Sequence, residues 1–168
     1  TPRRADEPLS PSDLGGPKAL PGEGLEAEAA MRRGTRLHKL LEHLPRYPSR
    51  DWPDLAPRLL AEGAALAPDE TAALLDEARR VIQAPALAHL FAPGILAEVP
   101  LTARLAELGD RRIAGTVDLL LVERDRVLAV DFKSNRAIPD RPEDTPEGLL
   151  RQMGAYAAAL AQIYPGRR

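Results

Sequence analysis

The stretch Ala129-Val130-Asp131-Phe132-Lys133-Ser134 ends an apolar run with an acid and a lysine two residues apart. Side chains on a strand alternate between faces, so Asp131 and Lys133 are expected on one face, and Val130 and Phe132 on the other. A second acid, Asp118, ends the run Gly115-Thr116-Val117-Asp118 in the segment before it. If these segments pair through a turn centred on Arg124-Asp125, Val122 faces Val127, Leu120 faces Ala129, and Asp118 faces Asp131. Directly opposed residues have Cβ atoms about 4.5–5.5 Å apart, where like charges destabilise the pair. A divalent cation would give that pair a purpose, since Mg²⁺ is typically held by one or two carboxylates with waters completing an octahedron. Lys133 beside such an ion could orient a nucleophile or stabilise charge on a phosphate in the transition state. The plainer alternative is a pair of strand-end acids facing solvent with Lys133 neutralising one. A one-residue bulge at the turn would separate the acids.

Other polar residues stand where they could join this chemistry. His38 follows Gly34 by four residues in Arg33-Gly34-Thr35-Arg36-Leu37-His38, so the two share a helix face and the glycine leaves room beside the imidazole. A lone helical histidine can equally be structural, and His43 and His89 read as surface or packing residues. Glu98, in an otherwise apolar strand, could reach the site or bind an arginine. Gln152 and Tyr156 share a face of the last helix; the tyrosine could contact a base or a phosphate, or be half-buried packing.

The elements that must carry these residues follow from period and punctuation. Met31, Leu37, Leu40, Leu41 and Leu44 recur at helical spacing and predict a helix from Glu26 to about Leu44, ended by Pro45. Further helices are expected over Asp54 to Glu62 and Pro68 to Gln83, with a short turn over Ala84 to Phe91. The period then changes. Ile95 to Leu105, Arg112 to Val122 and Arg126 to Lys133 read as three strands of an antiparallel meander, with turns at Gly109-Asp110 and Arg124-Asp125. Thr145 is expected to cap a last helix with Pro146 at its first position, running to about Ile163. Helices, three strands and a helix predict an α/β sandwich, with a further strand expected just beyond Arg168.

The 168 residues, 44% hydrophobic and 29% charged, are enough for one globular domain, whereas residues 1 to 24, with five prolines, read as a solvated linker. Without cysteine there is no disulfide, zinc knuckle or cysteine-held iron–sulfur cluster, so any metal is held by oxygen or imidazole. A net charge of −2 excludes binding to nucleic acid by overall electrostatics and makes any such contact local. The absence of an apolar run of membrane-spanning length and of a secretory leader pattern predicts a soluble, cytoplasmic protein without membrane contact. The bases are 20 Arg and 3 Lys, a bias that suggests a GC-rich genome and makes a lysine at position 133 more telling. Beginning at Thr1 and ending at Arg168, the chain reads as a piece of something larger.

Taken in order, Gly34-x-x-x-His38, Glu98, Gly115-x-x-Asp118, Asp131-Phe132-Lys133-Ser134-Asn135 and Gln152-x-x-x-Tyr156 resemble the RecB-like nucleases of the PD-(D/E)xK superfamily, in particular the nuclease domains of AddA-type helicase-nucleases. The resemblance covers about residues 26 to 164. It implies that His38, Asp118 and Asp131 hold Mg²⁺ or Mn²⁺ and that Lys133 assists attack of water on a phosphodiester. It places Gln152 and Tyr156 beside the DNA path, with Glu98 as a possible accessory. It implies a restriction-endonuclease-like core: a central mixed sheet, here with an antiparallel three-stranded meander, flanked by helices. On this basis residues 25–168 form the nuclease domain, truncated before its last core strand. The implied role is DNA resection at double-strand breaks, with single-stranded DNA at the active site, a helicase part in the same full-length chain and a partner of AddB type. This chain has no phosphate-binding helicase loop, so ATP use would belong elsewhere. A non-catalytic DNA-binding or docking module of the same fold is the main rival reading, and a structural α/β domain binding Ca²⁺ or an unrelated partner is a third.

Overall fold

Alternating apolar residues make three strands, β1 (Leu96–Leu105), β2 (Arg111–Val122) and β3 (Val127–Val130), which form an antiparallel sheet in the order β1-β2-β3. The computed structural model describes residues 7–18, 27–62, 66–133 and 139–168. Ser134 and Asn135, the expected helix start at Glu26, and residues 1–6 and 19–24 of the expected linker lie outside the described residues. Contacts divide the chain into two compact units. The sheet belongs to the first, together with residues 7–18 and helix α4 (Glu147–Ile163); the second holds residues 27–95 with Phe132 and Lys133.

In the first unit the turns are where the sequence places them. Gly109 and Asp110 both take left-handed backbone, φ 69° and 60°, between β1 and β2. The Glu123 amide donates to the Arg126 carbonyl (2.9 Å), closing the Arg124-Asp125 turn between β2 and β3. One face of the sheet buries Leu101, Val117 and Leu120 against Tyr156 and Leu160 of α4, and Leu105 and Ile113 against Ala155 and Ala159. The small alanines let the helix approach closely.

Three sequence expectations are corrected here. β3 stops at Val130 rather than reaching Lys133, so strand alternation does not set the relative directions of Asp131 and Lys133. The next pair would juxtapose two carboxylates, and the ladder ends before it. Residues 7–18 are not a solvated linker: Leu9 bridges Ile113 in parallel, Pro11 is buried, and Leu9 and Leu14 pack into the Ile113 cluster. Proline richness signals missing amide donors, which an edge segment does not need, and this segment meets β2 through Leu9. Thr145 does not cap α4. The residue before the helix is Pro146, without a side-chain cap bond, and the free amide of Gly148 is met by the Pro17 carbonyl at 2.8 Å.

At the far end Arg168 accepts from the Val127 amide (2.9 Å) and donates to the Asp125 carbonyl (3.1 Å), the slanted pattern of parallel pairing beside β3. A parallel neighbour joined to β3 through α4 is the usual β-helix-β crossover.

The second unit is helical: α1 (Ala27–His43), α2 (Trp52–Leu59), α3 (Pro68–Ile82) and a 3₁₀ turn over Pro85–Phe91. The stripe Leu37, Leu40, Leu41 and Leu44 is buried against Trp52 and Ala56 of α2 and Leu74, Leu75 and Ala78 of α3. Pro68 opens α3, where the Glu70 side chain accepts from the Ala67 amide at 3.0 Å. α2 starts at Trp52, two residues before the expected Asp54, with its indole N–H donating to the Tyr47 carbonyl at 3.0 Å. Among the described residues no helix is long and apolar enough to cross a membrane.

Candidate metal and nucleic-acid site

The register puts three acids in one row across the sheet. In β1–β2, Glu98 lies opposite Asp118, between the pairs Ala97↔Leu119 and Val99↔Val117. In β2–β3 the register is the one the Arg124-Asp125 turn predicts, Val122↔Val127 and Leu120↔Ala129, and its last pair is Leu119↔Val130, one step short of Asp118 and Asp131. The row coincides with a break in alternation. Val117 and Leu120, three positions apart, pack in the same cluster, which regular alternation forbids. Glu98, across from this break, has φ 51°, rare for a residue with a side chain. The register is the same on both sides of it, Ala97↔Leu119 and Val99↔Val117. Irregularities of this kind re-aim side chains in a sheet, and here one lies at the acids rather than at the turn.

Helix α4 meets the row from the packed face. Gln152, 5% exposed, donates from Nε2 to Oδ1 of Asp131 at 3.1 Å. Tyr156, 3% exposed, donates its hydroxyl to the Thr116 carbonyl at 2.7 Å. Burial raises the phenol above its ordinary value; a hydrogen bond with Gln152 opposes this, and the charges of Asp131 and Asp118 raise it further. Both aspartates therefore act on one phenol. The pair for which the resemblance implies a place beside DNA is directed into the protein, with partners on β2 and on Asp131. Gly115 belongs to this arrangement although its spacing suggested no such role: a Cβ there would lie 2.8 Å from Cδ of Pro11 and 3.0 Å from the Tyr156 hydroxyl. The signal available was an isolated glycine in a strand, which marks close approach.

His38 and Lys133 belong to the second unit. His38 sits one turn after the buried Gly34 and meets Phe132 edge-on, ring centroids 6.3 Å apart, while Phe132 stacks parallel to Phe91 at 6.2 Å. Phe132 is thus anchored among aromatic rings, and the next residue, Lys133, is exposed. His43 lies 3.5 Å from Glu42, a surface pairing consistent with its reading as a surface residue.

The donor chemistry of the acid row suits a hard cation. Among the described residues no three His, Cys, Asp or Glu side chains gather into a ready-made metal cage. Mg²⁺ does not need one: a pair of carboxylates with several waters is a usual protein contribution, and Asp118 and Asp131 are the candidates for such a pair.

Comparison with known proteins gives the family. The family model of the PD-(D/E)XK nuclease superfamily matches residues 13–168. The larger, ATP-dependent helicase/nuclease polypeptide of Desulforamulus reducens is 29% identical over 150 residues. That similarity covers 78% of this chain but 12% of the relative, so the chain spans a small part of that protein's length. With residues 13–168 matched by its model, this chain belongs to the PD-(D/E)XK nuclease superfamily.

Proposed function

We propose that the chain is a divalent-metal-dependent deoxyribonuclease domain of a bacterial helicase-nuclease, hydrolysing phosphodiester bonds as an exonuclease while double-strand breaks are resected for recombinational repair. The observation that carries this reading is the β2–β3 register, whose next step past Leu119↔Val130 would bring Asp131 to Asp118, in a chain of a nuclease superfamily. The context comes from similarity to an ATP-dependent helicase/nuclease. The helicase would lie in the rest of the full-length chain, a protein of AddB type would be the partner, and the setting would be the bacterial cytoplasm.

In this reading Asp118, Asp131 and His38 hold Mg²⁺ or Mn²⁺, with Glu98 as an accessory acid. A cation there supplies charge stabilisation at the phosphoryl oxygens and a nucleophilic water at neutral pH. The protein's own work is positioning and charge. Gln152 holds one oxygen of Asp131 and would orient the carboxylate toward the ion. Lys133 would present a compact ammonium to the water or the scissile phosphate.

The test is cleavage of end-labelled single-stranded DNA in Mg²⁺ or Mn²⁺ by this chain and by Asp131→Ala. Cleavage that chelation and the substitution both abolish supports the reading. Equal cleavage by the two proteins would refute the assignment of Asp131. Metal-independent DNA binding without cleavage, in this chain and in a longer one, would favour a docking module.

A further inference from the structure

The edge of β2 beyond the end of β3 is finished by other groups. Along β3, β2 pairs as far as Leu119↔Val130. Further back, the Thr116 carbonyl receives the Tyr156 hydroxyl, the Ala114 amide donates to the Leu9 carbonyl (3.1 Å), and the Arg112 carbonyl accepts from the Leu9 amide (2.9 Å). A side-chain hydroxyl and one N-terminal residue thus replace the missing strand partner. An unmet backbone group in such a place costs about 1–3 kcal/mol, so each bond constrains where its donor can sit.

Two side chains converge at Gly115. A Cβ there would meet Pro11 Cδ at 2.8 Å, the Tyr156 hydroxyl at 3.0 Å and Pro11 Cγ at 3.1 Å. Pro11 is fully buried and so cannot yield toward solvent. One turn before Tyr156 on α4, Gln152 reaches Asp131 at 3.1 Å. The same helix is held from its other end by the N-terminal segment: Gly148 donates to the Pro17 carbonyl, and Arg151 to the Leu14 carbonyl at 3.2 Å. A continuous path of contacts joins Pro11, Gly115, Tyr156, Gln152 and Asp131.

We propose that Tyr156 and the N-terminal residues around Pro11 are positioning residues for Asp131: Pro11 and Gly115 set the seat of the Tyr156 hydroxyl on Thr116, and this fixes the helical turn from which Gln152 orients the carboxylate. The proposal rests on the reading of Asp131 as a metal-holding acid for its effect on activity, but not for its structural content. It assigns Tyr156 to orientation of the site rather than to contact with nucleic acid. It also makes residues 9–14 part of the site's support.

The experiment compares the parent with Tyr156→Phe, Gly115→Ala and Gly115→Ala/Pro11→Ala by two readouts. The first is the side-chain amide signal of Gln152 in ¹⁵N NMR, readily assigned in a chain with three Gln and one Asn by its loss in Gln152→Leu. In Tyr156→Phe it should shift toward the position of a solvated amide. Gly115→Ala should show the same shift, and Pro11→Ala should reverse most of it by opening space for the added methyl. The second is steady-state cleavage of single-stranded DNA. Here kcat should fall about 10–100-fold in Tyr156→Phe, the usual effect of losing an outer support of a metal ligand, with KM unchanged. An unaltered Gln152 signal in Tyr156→Phe overturns the proposal, whether or not the chain cleaves DNA. So does a raised KM at constant kcat, which would mark Tyr156 as a DNA contact. Should Asp131→Ala cleave as well as the parent, the nuclease assignment of Asp131 fails, and the NMR result still decides the positioning. Tyr156→Phe removes one oxygen without changing shape, so the test stands even if Gly115→Ala does not fold.

Discussion

Glu98 stands opposite Asp118 with its backbone turned to φ 51°, between the paired steps Ala97↔Leu119 and Val99↔Val117. An ordinary strand residue would keep the alternation and direct its neighbours otherwise. For residues with a Cβ, left-handed backbone costs about 1–2 kcal/mol. The expected outcome is an inversion of the usual strand preference: Glu98→Gly will be more stable than Glu98→Ala by about 1 kcal/mol. Urea unfolding of the two variants measures it. If Ala proves the more stable, the left-handed backbone is not a property of the folded protein.

Two glycines of α4 should respond to alanine with opposite signs. A Cβ on Gly148 would meet the carbonyl oxygens of Gly16 and Pro17, each at 2.7 Å, whereas nothing lies within 4 Å of one on Gly154. Gly148→Ala should destabilise by about 1–3 kcal/mol through overpacking. Gly154→Ala should stabilise by about 0.5–1 kcal/mol through helix propensity. Thermal or urea midpoints of both variants test whether the N-terminal segment is seated on this helix in solution.

The Tyr156 phenol gives the folded protein a characteristic response to alkali. Its folded pKa is raised above the ordinary 10.0, first by burial and then by Asp131 and Asp118. As pH rises past the ordinary value the unfolded chain ionises while the folded chain keeps its proton. The contribution to stability is therefore complete below about pH 10 and lost as pH climbs through the folded value. Tyr156→Phe removes this component. The stability difference between parent and variant should shrink as pH rises above about 10, measured by urea unfolding at each pH, and a constant difference would contradict the burial of the phenol.

Lys133 separates chemistry from fold. Its side chain is exposed, so Lys133→Ala should leave stability within about 0.5 kcal/mol of the parent. Cleavage should nevertheless fall by about 10²–10³-fold, the usual effect of removing a group that stabilises transition-state charge. Lys133→Arg should restore only part of it, because a guanidinium spreads its charge over a wider plane. Single-turnover rates with saturating DNA give the comparison.

Local spacing alone was enough to order the elements and to set Val122 opposite Val127 and Leu120 opposite Ala129. The Arg124-Asp125 turn sets the register of β2 and β3, because a two-residue period leaves no freedom once the turn is placed. The leucine stripe of α1 and the Pro68 start of α3 are visible for a similar reason: helical period and proline's missing amide are properties of neighbouring residues. What could not be read locally depends on partners far along the chain. The early end of β3, the left-handed Glu98, the burial of Gln152 and Tyr156, and the docking of Leu9 and Pro11 all arise where distant segments compete for the same backbone groups and the same volume. Gly115 shows the difference most plainly: as a letter it signals only that something comes close, and it takes the folded chain to reveal that Pro11 and the Tyr156 hydroxyl are what fill that space.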